Sequence, residues 1–230
     1  MINICFSIFL LFSVAHNTPE KTTENLQNDF LYLIRKKIIV VDTVEADGGL
    51  KKAHIDFSQG HENLQISLTN KGTEKTKFTI PCGLVFNPSD QNLQPMMSVQ
   101  SATREIAPGK TVGLSLHVVC IDSGADMPIK DDKYSVGYIQ TGNLKKMADC
   151  LCSVPNISDD PMGVQFAIWE IGNPNVTNTR NTMKKEDLEK TVKTYQSNGI
   201  SIPKMITNAI TYYNNSEIWL EQCKVEKKEK

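Results

Sequence analysis

The chain reads as an α+β protein in which an antiparallel β-sandwich is followed by a helical C-terminal part. Three observations predict this. From Lys37 to Cys120 apolar residues recur at alternate positions, the period of half-buried strands. Turn-forming clusters interrupt that alternation about every ten residues. Beyond Asp132 the apolar spacing becomes that of helices.

At the start, Ile4 to Ala15 is a short apolar run with small residues Ser13 and Ala15 placed for cleavage, so residues 1–15 read as a signal peptide. The run is too short to span a bilayer. Residues 16–34 form a polar leader. The sandwich domain, 35–135, opens with a strand from Lys37 to Val44, a turn at Asp47-Gly48-Gly49, and a returning strand with Ala53, Ile55 and Phe57 inward. Leu64, Ile66 and Leu68 alternate with Gln65, Ser67 and Thr69 in the next strand. After the turn at Asn70-Lys71-Gly72 one strand runs from Lys75 towards Phe86, with Phe78, Ile80 and Cys82 inward. Asn87-Pro88-Ser89-Asp90 breaks it, and Met97 and Val99 mark another short strand. Ala107-Pro108-Gly109-Lys110 is a tight turn before the clearest strand, where Val112, Leu114, Leu116, Val118 and Cys120 face the core. Short strands separated by regular turns predict an immunoglobulin-like arrangement rather than a parallel sheet.

Asp122 to Asp132 is a loop rich in Asp, Gly and Pro, and a boundary near residue 135 introduces the helical region, 136–223. Leu144, Met147, Ala148 and Leu151 define a helix carrying Cys150 and Cys152 and stopped by Pro155. Asp159-Asp160-Pro161 starts a second, with Met162, Phe166 and Trp169 on one side and an end near Gly172-Asn173-Pro174. Leu188, Val192 and Tyr195 give a third, ended by Asn198-Gly199. Pro203 opens a last helix with Ile206, Ile210 and Tyr213, and residues 224–230 are a charged tail without a lipid-anchor signal.

The net charge is -1, from 25 Lys and Arg against 26 Asp and Glu, which argues against nucleic acid as a partner. Arg35 to Lys37 reads as solvated charge. Asn156, Asn175 and Asn214 begin glycosylation sequons, which with the signal peptide predict a secreted glycoprotein. Cys82, Cys120, Cys150, Cys152 and Cys223 remain after processing, enough for two disulfides and one thiol whose assignment stays open. No integral membrane segment is expected after cleavage, nor any cofactor. The histidines lack metal-site spacing, and His54, His61 and His117 fall on or beside polar strand faces.

Two constellations could carry chemistry. In the first, Val164-Gln165-Phe166-Ala167-Ile168-Trp169 lies downstream of Cys120. A thiol held against a glutamine amide in a dry pocket can expel ammonia and form a thioester, which an amine later opens. Here the chain resembles the thioester domains of bacterial surface adhesins, over about residues 118–169. The resemblance implies Cys120 and Gln165 as the crosslinking pair and covalent capture of amine-bearing partners. Cys120 follows Val119 where those domains favour an aromatic residue or leucine. Leu151-Cys152-Ser153 matches that local pattern better but lies close in sequence to Gln165.

In the second, Ile121-Asp122-Ser123-Gly124 resembles the active-site loop of retroviral-type aspartic proteases, with Asp122 as the catalytic carboxylate. Such an enzyme needs a second carboxylate, so the resemblance implies a dimer. Asp-Ser-Gly is also ordinary turn chemistry at a strand end. Asp122, Asp126, Asp131 and Asp132 supply calcium-type oxygens without EF-hand spacing. There is no Gly-x-Ser-x-Gly, His-Glu-x-x-His or P-loop motif. The reading is therefore an extracellular binding or adhesion module rather than an enzyme, recognising an extracellular protein or surface ligand through the loops Asn87 to Pro95 and Asp122 to Asp132. Thioester capture is the first alternative and the protease the second.

Overall fold

The computed structural model describes residues 29–48, 62–154, 159–172 and 183–226. The expected signal peptide, the leader up to residue 28, the strand with Ala53, Ile55 and Phe57, His16, His54, His61, and the sequon residues Asn156 and Asn175 lie outside them. The strands are β1 (Ile39–Ala46), β2 (Glu62–Asn70), β3 (Thr76–Ile80), β4 (Leu84–Pro88), β5 (Met96–Ser98), β6 (Ala102–Ile106), β7 (Thr111–Cys120) and β8 (Tyr134–Ile139). The helices are α1 (Phe30–Arg35), α2 (Gly142–Ser153), α3 (Pro161–Gly172), α4 (Lys185–Ser197) and α5 (Lys204–Gln222).

The α+β class and the antiparallel pairing are as the apolar periods predict. The main sheet has the order β1-β2-β7-β5-β4-β8, and β3 with β6 makes a two-stranded ribbon. Long twisted strands curl the main sheet until its two edges meet at one end. There Glu45 bridges to Lys133, Ala46 donates its N–H to Asp132 O at 3.0 Å, and Asp131 donates to Ala46 O at 2.9 Å. The result is a nearly closed barrel with a ribbon beside it.

Three expectations need correction. The single strand from Lys75 to Phe86 is two, because Pro81 removes a donor and Gly83 takes φ +77°, which turns the chain from the ribbon into the main sheet. Buried Ser98 holds that corner, donating from Oγ to Pro81 O at 2.8 Å and accepting from Leu84 N at 3.0 Å. The boundary near 135 falls inside β8, whose Val136 and Ile139 pair with Phe86 and Leu84. The leader ends in α1 rather than in polar coil. Asp29 caps that helix by accepting from Leu31 N at 3.0 Å and Tyr32 N at 3.2 Å. Phe30 and Leu33 are buried, and Phe30 stacks on Phe78 at 5.4 Å.

The four later helices lie where their spacing placed them. Of these, α3 is buried almost all round, so it serves two apolar clusters at once. Inside the barrel, Leu64, Phe86, Leu116 and Cys120 pack with Met162, Phe166 and Trp169. Outside it, Val85, Met97, Val119 and Ile121 pack with Val164, Ile168 and Leu220. The end of β7 is thus covered on both faces, which explains why its alternation gives way to the unbroken apolar run Val118 to Ile121. At the start of α3, Asp160 accepts from Trp219 Nε1 at 2.9 Å and ties α5 to it. Burial, with the Asp160 charge, raises the Tyr212 phenol above its ordinary pKa.

Two disulfides complete the frame. Cys82–Cys152 joins the β3–β4 corner to α2, and Cys150–Cys223 joins α2 to the end of α5. They close loops of 70 and 73 residues. Each limits the unfolded chain by roughly 4 kcal/mol. Sheet and helices are therefore one covalently stapled body.

Candidate functional site

The loops Asn87 to Pro95 and Asp122 to Asp132 leave the same end of the barrel and are joined there. Leu93 bridges Asp126 in parallel. Asp126 donates its N–H to Asn92 O at 2.8 Å, and Gln94 donates to Asp126 O at 3.0 Å. Gln94 is the centre of this junction and is 0% exposed. Its Nε2 donates to Ala125 O at 3.2 Å, and its Oε1 accepts from Trp169 Nε1 at 3.0 Å. Its backbone oxygen accepts from Tyr134 Oη at 3.2 Å. One side chain thus fastens both loops to the most buried helix.

What the joined loops present outward is a mixed surface: Asp90, Gln91 and Asn92 from the first, and Gly124, Ile129 and Lys130 from the second, all exposed. Local bonds set their shape. Asp90 accepts from Asn92 N at 2.9 Å, Asp122 from Gly124 N at 2.9 Å, and Asp132 from Ile129 N at 2.7 Å. The end of β1 abuts the second loop so closely that a Cβ on Gly48 would stand 2.7 Å from Lys130 N. The surface is polar, shaped by these local bonds, and edged by the exposed Ile129.

Cys120 and Gln165, 45 residues apart, also meet. The Gln165 Oε1 accepts from Cys120 N at 2.9 Å, and its Nε2 donates to Cys120 O at 2.7 Å. Gln165 is 2% exposed and Cys120 0%. On the β5 side Cys120 pairs with Met96, and the Gln165 amide bonds its backbone N and O. The carboxamide therefore does beside Cys120 what the peptide group of a neighbouring strand does elsewhere: it satisfies one donor and one acceptor of the backbone. Among the described residues both disulfides use other cysteines, and it is the backbone of buried Cys120 that meets this amide.

Asp122 is half-buried and closes its own turn through Gly124. Among the described residues no three His, Cys, Asp or Glu side chains converge to hold a metal ion. Asp122, Asp126, Asp131 and Asp132 are instead spaced along the loop, with Asp132 bonded to loop backbone. His117 is half-buried on β7. Asn214 is exposed on α5, whereas Ser216 of the same sequon is buried and donates to Tyr213 O at 2.8 Å. None of the described helices is long and apolar enough to cross a membrane.

Gln94 is the residue that sequence reasoning missed. It lies in Asn-Leu-Gln-Pro, a polar stretch with no period to show that a side chain turns inward. No family model, curated protein or solved structure matches the chain, so the geometry alone carries the functional reading.

Proposed function

We propose that the protein is a secreted binding module that recognises an extracellular protein or surface ligand through the two joined loops, as immunoglobulin-like domains do with the ends of their sheets. The observation that supports this is the Gln94 junction, which holds both loops in one arrangement before any ligand arrives and so lowers the ordering cost of binding. The two disulfides suit an oxidising, extracellular compartment. The test is an array of cell-surface proteins and glycans, followed by variants. Gln91→Ala with Ile129→Asp should weaken the selected ligand by about tenfold or more. Tyr138→Asp, on exposed β8 away from the loops, should leave it unchanged. Equal binding by wild type and the loop double variant would remove the loops from the account.

A second reading rests on the contact between Cys120 and Gln165. Attack of the Cys120 thiol on the Gln165 side-chain carbonyl would form a thioester and release one ammonia, the thiol proton leaving on the nitrogen. A primary amine would then open it, forming an amide at Gln165 and restoring the thiol. The enclosed setting would protect such a bond from water. The cost is the pair of hydrogen bonds that the amide gives to the Cys120 backbone. Intact mass before and after methylamine decides this: a deficit of one ammonia that methylamine removes supports capture, and a full mass with one alkylatable thiol after unfolding excludes it.

A further inference from the structure

At the end of the barrel opposite the joined loops, the chain gathers exposed lysines although its net charge is -1. This end is defined by the register Ile39↔Asn70 and Thr69↔Thr111, while Ala46↔Leu64 and Met96↔Cys120 define the other. Strand β7 separates the two by its full length, roughly 30 Å at the usual rise. Lys36 and Lys37 come from the turn after α1, Lys71, Lys75 and Lys77 from the β2–β3 segment, and Lys110 from the turn before β7. Three local acids do not balance them: Glu105 pairs with Lys75, Asp42 accepts from Thr69 Oγ1 at 2.6 Å, and Glu74 lies in the same turn.

These lysines stand on a fixed frame. Asn70, 0% exposed, donates from Nδ2 to Glu74 O at 2.8 Å and to Ile106 O at 2.8 Å, and accepts from Gly72 N at 2.8 Å. Its backbone donates to Lys110 O at 3.0 Å and accepts from Gly109 N at 2.8 Å, while Lys71 N donates to Ile38 O at 2.8 Å. The buried Asn70 carboxamide thus ties the turn after β2 to the end of β6, and the backbones of Asn70 and Lys71 tie it to the turns at Lys110 and Ile38. Beside these turns runs a shallow groove of about 360 Å³ lined by Tyr32, Ile38, Thr73, Glu74, Lys75 and Lys77.

We infer that this end is a docking surface for a sulfated polysaccharide. Charge complementarity selects a polyanion, and ammonium groups carried on several fixed turns suit sulfates repeated along a flexible chain. Tyr32 is the one aromatic side chain in the groove lining, and Lys36 Nζ stands 5.8 Å from its ring centre, so the groove offers no series of faces on which successive bases could stack. Disulfide bonds favour an oxidising compartment, where sulfated glycans occur. The inference does not depend on the loop surface.

The experiment is binding to heparin across a salt series, with desulfated heparin and single-stranded DNA of matched charge as comparators. Wild type should bind heparin at about 0.15 M salt and release it as salt rises. Lys37→Glu with Lys71→Glu and Lys110→Glu should bind about tenfold or more weakly while keeping its circular dichroism. The loop variant Gln91→Ala with Ile129→Asp should bind as wild type. No binding at that salt, unchanged binding by the lysine variant, or equal affinity for DNA or desulfated heparin would overturn the inference.

Discussion

Asn70, Gln94 and Gln165 do similar work at three strand ends: each is buried, and its amide group bonds backbone at or just beyond the last residue of a strand. Gln94→Ala would leave the Trp169 indole N–H and the Ala125 oxygen without that partner. Urea unfolding should show a loss of about 2–4 kcal/mol, and a loss below about 0.5 would mean that Gln94 does not hold the loops. Gln165→Met keeps the volume but strips Cys120 of both bonds, and a similar loss is expected. Gln165→Glu adds a pH dependence. A buried carboxyl beside the Cys120 oxygen would titrate above its ordinary range, so the folded state would bind protons more tightly than the unfolded one. Stability should then fall as pH rises through about 4.3 and continue falling until the folded value is passed. An unfolding midpoint that rises over that window would refute this. At this scale the sequence was legible where a period existed: Cys120 faces the core because β7 alternates. Gln94 and Asn70 were not legible, because a glutamine or asparagine in a turn gives no sign of whether its amide meets water or backbone.

Helices α2, α3, α4 and α5 were legible from apolar spacing, capping residues and stopping prolines or glycines, all of which act locally. The sheet was less so. The switch at Pro81-Cys82-Gly83 lies inside a continuous apolar alternation, and only the pairing of β3 with β6 and β4 with β5 and β8 reveals two strands. Helix α1 was hidden by the polar residues before it, although Asp29 is a capping residue and Phe30 and Leu33 fall on one face. Element packing also carries a prediction. Cys223→Ser removes the bond from α2 to the end of α5 and should lower stability by roughly 3–4 kcal/mol. Limited proteolysis should then cut near Trp219 and Leu220 before the barrel. Cleavage within β2 or β7 first would show that α5 is not the element this disulfide secures.

As a whole, the molecule is a stapled barrel with two unlike ends: joined polar loops at one and a lysine frame at the other. Class and element types followed from periodicity, but this polarity did not, because it depends on which turns the sheet order brings together. Closure through Glu45 and Lys133 places β1, β8 and both loops at one end. The central claim is that the loops are joined before any ligand binds. Amide hydrogen exchange of the unliganded protein tests it most directly, read at Gln94 and Asp126, whose N–H groups donate between the loops. Protection of about a thousandfold or more is expected at both, falling sharply in Gln94→Ala. Exchange at the rate of an open chain at either amide in the wild type would contradict it.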